Sequence, residues 1–438
     1  MKIQFLNHAC FLVEHGNTVL LNDPYLKGTA FNDGWDLIVN DIDFSFSQEK
    51  KYFIYYSHEH PDHFSIPFIN EIEDDFKENI TILYQETKDL RVSSFLRKKN
   101  FTVIEVKHKQ RIALSKNFFI TIGKVPFYDS WALIEIQGKK ILNANDCILE
   151  APDRVRDIKK ITNNIDILFT QYSYANWVEG GEKSKSARKE LAREKLRRIK
   201  MQANILHPTY IVPFASMVRF CHKENSYMND SLNTPRDTIN FIANETNSTP
   251  FMMTPYEEWD GESSKDNESA LTFWDTSYQN ALSRPLIGLK EQYSLEDLLS
   301  AYNKMLDRVK ARNNFMLIKF LSFINMIPEQ IFRVTDLDLF IQFSWHEGCK
   351  LVDRDIQQHS IGISSESLHF LFANDFGVDT LNVNARFSGS LRQKKNLIKT
   401  FFPLALNNTG RYISFVGIVK TFELSFIRQG LKTVGILR

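Results

Sequence analysis

Cysteine is scarce in this sequence, and its four copies stand far apart. They are Cys10, Cys147, Cys221 and Cys349, and no two of them form a C-x-x-C pair. This spacing argues against both a zinc knuckle and a disulfide framework. Scattered free thiols are typical of proteins kept in a reducing compartment, so the sequence predicts a cytoplasmic protein.

A charge imbalance and long apolar runs are also lacking. The 438 residues include 54 Lys and Arg against 53 Asp and Glu, which gives a formal net charge of +1. A balanced chain gives no electrostatic reason to expect a nucleic-acid partner. The most apolar run, FMLIKFLSFINMI, is shorter than the ~18–20 residues that cross a bilayer, so we expect no membrane span.

Strand-like segments dominate the first part of the chain. Apolar or alternating runs end in turns at NTVLLNDP, KYFIYYS, WALIEIQ, KKILNAND and YIVPFA. Their order, with helices between them, predicts an α/β sandwich of two packed sheets with helices outside, over residues 1–256. The opening stretch IQFLNHACFLVEHG indicates one strand of a hairpin that turns at Gly16 and Asn17, which places His8 on that strand.

Two further segments follow a polar, acidic stretch, EEWDGESSKDNES. Residues 257–330 predict a linker and a helical segment, in which Ser294 and Asp297 are spaced as a capping box. Residues 331–438 predict a small α+β domain whose sheet has one apolar face. Its expected strands are DLDLFIQFSW, SIGISSESLHFLFA, DTLNVNARFSG and RYISFVGIV.

Three histidines and an aspartate lie within six positions in YYSHEHPDHF, directly after an apolar run. They are His58, His60, Asp62 and His63, an H-x-H-x-D-H array with a turn at Pro61. At a strand end, His58 and His60 can converge on one cation, and Asp62 and His63 on a second. Imidazole and carboxylate ligands suit Zn²⁺ best, and also Fe or Mn. The array therefore predicts one or two divalent metal ions.

This array resembles the signature of the metallo-β-lactamase superfamily, whose fold is an αββα sandwich. The stretches at 7–35 and 213–230 are similar to the branch that includes CMP-N-acetylneuraminate hydroxylase. The resemblance implies that Asp146, in ILNANDC, is a metal-bridging ligand, and an ordinary turn aspartate is the alternative. Asp62 and Asp146 are the candidate catalytic carboxylates, since either could orient a metal-bound hydroxide in a hydrolase.

Two positions depart from the family pattern. The family has a histidine in the region of VPFYDSWALIEI, and Asp129 is the candidate oxygen ligand in its place, with a surface turn residue as the alternative. The last family ligand is a histidine, but the corresponding residue here is Ala215. His222 is the candidate substitute, and a purely structural or substrate-facing histidine is the alternative for it.

Several polar and aromatic residues are candidates for contacts with a substrate. They are His8, Gln171, Tyr172, Asn176 and Trp177, and core packing is the alternative for His8 and for the aromatic residues. A basic helix over 182–200 is either a solvated surface or a rim that attracts an anionic small molecule.

Three functions fit this sequence. The first is a hydrolase that uses metal-bound hydroxide on a polar or phosphate-bearing substrate. The second, implied by the hydroxylase branch, is an iron-dependent oxygenase acting on a nucleotide-sugar-like substrate. It would need a redox partner, because the sequence has no C-x-H or C-x-x-H pair for a Rieske cluster. The third is a binding module with a depleted metal site, which Ala215 suggests.

The C-terminal domain loosely resembles sterol-carrier-like domains, mainly in FLFANDFGVDTLNVNARFSG. An apolar-faced sheet there could bind an acyl group. It could also form a homodimer interface or pack on the first domain, and the sequence favours these two roles.

Overall fold

The computed structural model describes residues 1–40, 42–147, 149–178, 183–353 and 360–414. Its strands are β1 (Lys2–Asn7), β2 (Cys10–His15), β3 (Thr18–Asn22), β4 (Thr29–Ala30), β5 (Trp35–Leu37), β6 (Lys51–Tyr56), β7 (Ile80–Gln85), β8 (Thr102–Val106), β9 (Gln110–Ser115), β10 (Phe118–Val125), β11 (Asp129–Ile136), β12 (Lys139–Asn143), β13 (Ile167–Gln171), β14 (Tyr210–Phe214), β15 (Val218–Phe220), β16 (Thr249–Pro250), β17 (Glu258–Trp259), β18 (Gln330–Val334), β19 (Leu339–Ser344), β20 (Gly348–Val352) and β21 (Ser360–Ile363).

The helices lie between and after these strands. They are α1 (Ile66–Glu71), α2 (Asp74–Lys77), α3 (Arg91–Lys98), α4 (Pro152–Thr162), α5 (Lys185–Leu206), α6 (Pro235–Glu245), α7 (Glu268–Ser283), α8 (Leu295–Arg312), α9 (Phe315–Phe323), α10 (Ser365–Ala373), α11 (Gly377–Asn384), α12 (Leu391–Thr400) and α13 (Phe402–Asn407). Among the described residues, no helix combines the length and the apolar character needed to cross a membrane.

Two seven-stranded sheets form the N-terminal part of the molecule. Their strand orders are β17-β1-β2-β3-β6-β7-β8 and β16-β14-β13-β12-β11-β10-β9. The sheets face each other across a hydrophobic core, in which the ring of Phe11 stacks on that of Phe169 at 4.1 Å between centroids. Helices α3 and α5 pack on strands β8 and β13. The predicted αββα sandwich is confirmed.

Parallel strands bring the chemically important loops to one edge of this sandwich. Strands β3, β6 and β7 are parallel to each other, as are β12, β13 and β14 in the other sheet. The carboxyl ends of β3 and β12 meet, because Asn143 donates a hydrogen bond of 3.2 Å to Asn22. The loops that follow β6 and β12 therefore leave the sandwich at the same edge, as ligand-binding loops of α/β sheets commonly do.

The helical segment after the sandwich divides between two cores. Helix α7 packs into the sandwich core through Leu271, Trp274 and Tyr278. Helix α8 packs into the C-terminal core. The predicted capping box of α8 is confirmed, since Ser294 and Asp297 each accept a hydrogen bond from the other residue's backbone N–H.

The C-terminal part is an α+β unit built on a four-stranded sheet of order β20-β19-β18-β21. Its core is continuous with residues of the first part, and Trp177 stacks on Phe387 at 4.9 Å between ring centroids. The unit therefore packs against the sandwich, and its likeness to sterol-carrier domains stays a prediction.

Two predicted C-terminal strands are wrong. The strand predicted over 360–373 ends at Ile363 and gives way to α10, because the Ser364 side chain accepts a hydrogen bond from Ser367 N–H and caps a helix. The strand predicted over 379–389 is largely helix α11. The strand predicted at 411–419 has no regular structure over 411–414, and the remainder lies outside the described residues.

Candidate metal centre

The H-x-H-x-D-H array lies in the loop that leaves the carboxyl end of β6. His58, Asp62 and His63 are 4%, 3% and 0% exposed, and His60 is half-buried. The backbone N–H groups of His63 and Phe64 both donate to the carbonyl of His60, at 2.9 and 2.7 Å, which folds the loop back on itself. Burying so many ionisable side chains is costly unless each is paired or coordinates an ion.

Asp23 orients His63 from behind. Its Oδ2 accepts a hydrogen bond of 3.0 Å from His63 Nδ1, while its Oδ1 accepts one of 2.7 Å from Ser57 N–H. His63 Nε2 then faces the other way, 3.5 Å from both Asp62 Oδ2 and Asp146 Oδ1. Burial lowers the pKa of His63, but the surrounding carboxylates, Asp62 first, outweigh it and raise that pKa to about 10.

His58 and His60 form a second pair. His58 Nε2 lies 2.9 Å from His60 Nδ1 and 3.8 Å from Asp146 Oδ1. Ser57 Oγ lies 3.0 Å from the opposite nitrogen of His58, Nδ1. Burial lowers the pKa of His58 well below its usual value, although Asp146 acts against this. His58 is therefore neutral at pH 7, the state in which an imidazole can bind a cation.

The two aspartates from the second sheet occupy different places around His58. Asp146, after β12, faces the Nε2 atoms of His58 and His63. Asp129, at the start of β11, lies on the other side, with Oδ1 3.6 Å from His58 Nδ1. Asp129 Oδ1 also accepts hydrogen bonds from Ser130 N–H at 2.6 Å and Cys147 Sγ at 3.3 Å. Burial, and then the charge of Asp146, raise the pKa of Asp129 well above its usual value.

His8 lies in the cluster itself. The sequence places it within the first strand, but the chain turns there between β1 and β2, and His8 has a φ of 42°. Its Nε2 lies 3.3 Å from Asp62 Oδ2, and its side chain is 2% exposed. Its ring also meets the edge of the His63 ring, with 5.9 Å between centroids.

Several unpartnered polar atoms lie in this cluster. His63 Nε2, Asp62 Oδ1, Asp146 Oδ1 and His8 Nδ1 are buried, and none of them receives a hydrogen bond from the residues that the structure describes. Among those residues, two sets of ligand atoms come close enough to share a cation: those of His8, Asp62 and His63, and those of His58, His63 and Asp146. Imidazole nitrogens with carboxylate oxygens are the donor set of Zn²⁺ and of non-haem Fe or Mn sites. The residues present therefore fit a divalent cation.

The structure places His222 elsewhere. His222 is buried near the C-terminal unit, where its Nδ1 accepts a hydrogen bond of 3.2 Å from Glu224 N–H and lies 3.4 Å from the Glu224 carboxylate. Its backbone N–H donates to Asn225 Oδ1 at 3.0 Å. His222 is in neither set of converging ligand atoms within the described part of the chain.

The aromatic residues predicted to contact a substrate are packing residues in this structure. Tyr172 is fully buried, and its hydroxyl lies 3.0 Å from that of Tyr278. Trp177 is buried against Phe387. Asn176 is exposed on the same segment.

Gln171 forms a hydrogen bond with Lys195, which lies on the apolar face of helix α5. Its Oε1 accepts a hydrogen bond from Lys195 Nζ. Burial, and then the neighbouring Arg198, lower the pKa of Lys195 to about 8, although the charge of Asp146 acts against this. Lys195 therefore carries a positive charge at pH 7 and interacts electrostatically with the carboxylate of Asp146.

Two features of the site have a signal in the sequence. Lys195 follows Leu191 by four positions and precedes Ile199 by four, so it lies on the apolar face of α5 rather than on its charged face. Asp23 directly precedes Pro24 at the end of a strand, and only the structure shows that it contacts His63. The role of His8 had no local signal, because the break between β1 and β2 is not marked by glycine or proline.

Comparisons with known proteins agree with this geometry. Residues 2–142 match the model of the Beta-lactamase superfamily domain. The chain is 26% identical over 263 residues to the cytidine monophosphate-N-acetylneuraminic acid hydroxylase of Xenopus laevis. The aligned region covers 56% of this chain and 43% of that relative. The chain thus spans about half the length of the curated relatives it matches.

Two solved structures resemble the sandwich at low identity. They are CmlA, a diiron beta-hydroxylase from Streptomyces venezuelae (12% identity, TM-score 0.41, 59% of this chain and 53% of that chain), and Igni18, a metallo hydrolase from Ignicoccus hospitalis (13% identity, TM-score 0.39, 59% and 97%). The predicted resemblance to the superfamily and to its hydroxylase branch is confirmed by the match of residues 2–142 and by these relatives.

Proposed function

We propose that this chain is a metal-dependent hydrolase of a small polar or anionic molecule. His58, His60, Asp62, His63 and Asp146 would hold its one or two divalent cations. One observation carries this proposal: His63 Nε2, Asp62 Oδ1 and Asp146 Oδ1 are buried without a hydrogen-bond partner in the described part of the chain. Buried polar atoms are rarely left unsatisfied, and several in one cluster indicate a missing ligand.

A bound divalent cation lowers the pKa of a coordinated water from ~15.7 towards ~7, which makes a nucleophile available at neutral pH. The protein's part is to hold the ligands and to handle the proton. Asp23 fixes His63 in the tautomer that presents Nε2 to the centre, because it accepts the Nδ1 proton. Asp62 and Asp146, whose carboxylates lie 3.5 Å from His63 Nε2, would orient a water and accept its proton.

The positive charge of Lys195 supports the proposal that the substrate is anionic. The ammonium group of Lys195 comes from α5, whose exposed side is also rich in basic residues, and the charge of Asp146 acts on its pKa. A positive charge beside a metal centre raises the local concentration of phosphate- or carboxylate-bearing molecules and stabilises their additional negative charge during reaction.

Hydrolysis is preferred over oxidation because of where Asp129 lies. The oxidative hypothesis used Asp129 as an extra oxygen ligand that suits iron. In the structure its carboxylate lies beside His58 Nδ1, the nitrogen that faces away from Asp146. It lies 3.6 Å from that nitrogen, which Ser57 Oγ contacts at 3.0 Å, and among the described residues it belongs to neither set of converging ligand atoms.

The second candidate is an iron-dependent oxygenase. It is supported by the curated relatives, which are named as cytidine monophosphate-N-acetylneuraminic acid hydroxylases. Such an activity on a nucleotide-sugar-like substrate would take electrons from a separate donor protein. The cytoplasmic location, the homodimer and the redox partner remain predictions.

Metal analysis combined with two assays separates the candidates. Protein purified with and without oxygen is analysed for Zn, Mn and Fe, and then assayed for hydrolysis of chromogenic phosphate and carboxylate esters and for O₂ uptake with a reductant. We expect one or two equivalents of Zn or Mn and hydrolysis that Asp146→Asn abolishes and Asp157→Asn, on exposed α4, leaves intact. Iron with reductant-dependent O₂ uptake would support the oxygenase instead. A wild-type protein that retains no metal would contradict both enzymatic candidates, and the binding module with a depleted metal site would be the remaining function.

A further inference from the structure

We propose that His8 is a metal ligand, which with Asp62 and His63 completes a second cation position. The first position would then be formed by His58, His60 and Asp146. This inference rests on the proposed function, since it concerns the same metal centre, and it assigns to His8 a role that the sequence did not predict.

The positions of three side chains carry the inference. One ligand atom from each of His8, Asp62 and His63 lies within 4.8 Å of the other two, and all three residues are buried. His8 Nε2 is 3.3 Å from Asp62 Oδ2, and His63 Nε2 is 3.5 Å from the same oxygen. Two imidazoles thus approach one carboxylate from two sides, as ligands of a single cation do.

A hydrogen bond between His8 and Asp62 alone does not give every buried polar atom of the cluster a partner. It provides a partner for one oxygen of Asp62, but Asp62 Oδ1 and His63 Nε2 remain buried without any. A cation between the three side chains would engage the carboxylate and both imidazoles together. Buried polar atoms of this kind are expected to have a partner, in this case an ion.

The backbone of His8 is held firmly in an unusual conformation. Its φ of 42° lies in the left-handed region, which is uncommon for residues other than glycine. Its N–H donates to Asn7 Oδ1 at 3.0 Å, and its carbonyl accepts 2.8 Å from the N–H of Ala215 in the opposite sheet. Such positions persist where the surrounding structure enforces them, often at functional sites. The turn thereby directs the His8 ring at Asp62.

His63 belongs with His8 rather than with His58. Its Nδ1 is occupied by Asp23, so only Nε2 remains, and one ring nitrogen binds one cation. His58 and His60 already form a close pair, 2.9 Å apart, with Asp146 beside it. Assigning His63 to Asp62 and His8 gives each cation two imidazoles and one carboxylate.

Cobalt titration tests this assignment without relying on activity. Metal-free wild-type protein is titrated with Co²⁺, bound metal is measured by equilibrium dialysis, and the visible absorption reports each site. The variants are His8→Ala and His8→Gln, whose amide can still donate a hydrogen bond to Asp62. His207→Asn is the matched control, because His207 is an exposed histidine that also has a positive φ, which asparagine tolerates. Circular dichroism confirms that each variant is folded.

We expect wild type and His207→Asn to bind two equivalents, and both His8 variants to bind one equivalent tightly. The second equivalent in those variants should be weakened at least ~100-fold, and its absorption band should be lost. Two equivalents of unchanged affinity in His8→Gln would overturn the inference and make His8 a residue that only positions Asp62. A wild type that binds one equivalent would overturn it too. A wild type that binds none would contradict the proposed function itself.

Discussion

The contact between the sandwich and the C-terminal unit and the candidate metal centre both bury charged side chains, and they do so differently. At the contact between the sandwich and the C-terminal unit, Arg386 is 1% exposed and has a partner on every guanidinium nitrogen: Glu224, Glu366 and the carbonyl of Asn32. In the candidate metal centre, by contrast, His63 and Asp62 are equally buried, and each keeps an atom without a partner.

The difference separates structural from functional burial of charge. A buried ion pair is tolerated when its geometry and hydrogen bonds are complete, and removing one partner is then strongly destabilising. A buried cluster with free ligand atoms contributes little in that way, because it is complete only when an ion is bound. Mutations in the two regions should therefore change different quantities: stability in the first and metal affinity in the second.

The largest expected effect on stability is at Arg386. Arg386→Met removes a fully buried cation from the half-buried carboxylates of Glu224 and Glu366, and should lower the free energy of unfolding by about 3 kcal/mol. Urea denaturation measures this, and metal content should not change. Arg197→Met on the exposed side of α5 is the control, expected within about 0.5 kcal/mol of wild type. If Arg386→Met were as stable as its control, the contrast between the regions would be lost.

The opposite pattern is expected at His58. His58→Ala removes a ligand of the first cation. Losing a residue that only supports a ligand lowers metal affinity by at most ~100-fold, and we expect the loss of a ligand itself to exceed that. The metal-free variant should unfold at nearly the same urea concentration as metal-free wild type. Competition with a chromophoric chelator measures the affinity. Unchanged binding would mean that His58 is not a ligand.

A smaller loss of metal affinity is expected at Asp23. Asp23→Asn keeps the shape of the side chain but removes the charge that accepts the His63 Nδ1 proton. We expect affinity for the cation at His63 to fall ~10–100-fold, the usual cost of losing such a partner. The same chelator competition measures it, with Asp157→Asn as the control. An Asp23→Asn protein with wild-type affinity would show that His63 needs no orienting carboxylate.

The smallest expected effect is a pH-dependent gain at Lys195. Its pKa is lowered from 10.5 to about 8, chiefly by burial, so the folded chain loses this proton before the unfolded chain does. Below pH 8 both states carry the charge and the folded state bears its full cost; the cost disappears between about pH 8 and 10.5. Lys195→Met should therefore raise the free energy of unfolding by about 1–2 kcal/mol at pH 7, after allowance for partial exposure.

Denaturation at pH 7 and at pH 10.5 measures this gain, and it should be absent at the higher pH. Lys189→Met, on the exposed side of the same helix, should change neither value. A gain of equal size at both pH values would show that hydrophobic packing, and not charge burial, is its cause.

The sequence could predict the parts of the site that are local along the chain. The array from His58 to His63 directly follows an apolar strand, and that adjacency alone indicates a loop rich in metal ligands at a strand end. Alternation of apolar residues likewise predicted the sandwich. It failed at 379–389, where periodicity over so short a segment does not distinguish a strand from helix α11.

The parts that depend on distant contacts could not be predicted in this way. His8 joins Asp62 because a bend at one residue separates β1 from β2, and that bend is held by Ala215 from the other sheet. Tyr172 and Trp177 follow a strand end near the site, but tertiary partners far along the chain, Tyr278 and Phe387, bury them. Only the folded chain reveals such partners.

Anomalous scattering from crystals soaked in Zn²⁺ tests the central claim most directly. We predict a strong peak among His8, Asp62 and His63 and a second beside His58, His60 and Asp146, with refined distances of about 2.0–2.2 Å to nitrogen and oxygen ligands. No peak at this cluster at saturating zinc, or peaks only on surface residues, would contradict the account, because the unpartnered atoms would then not be ligands.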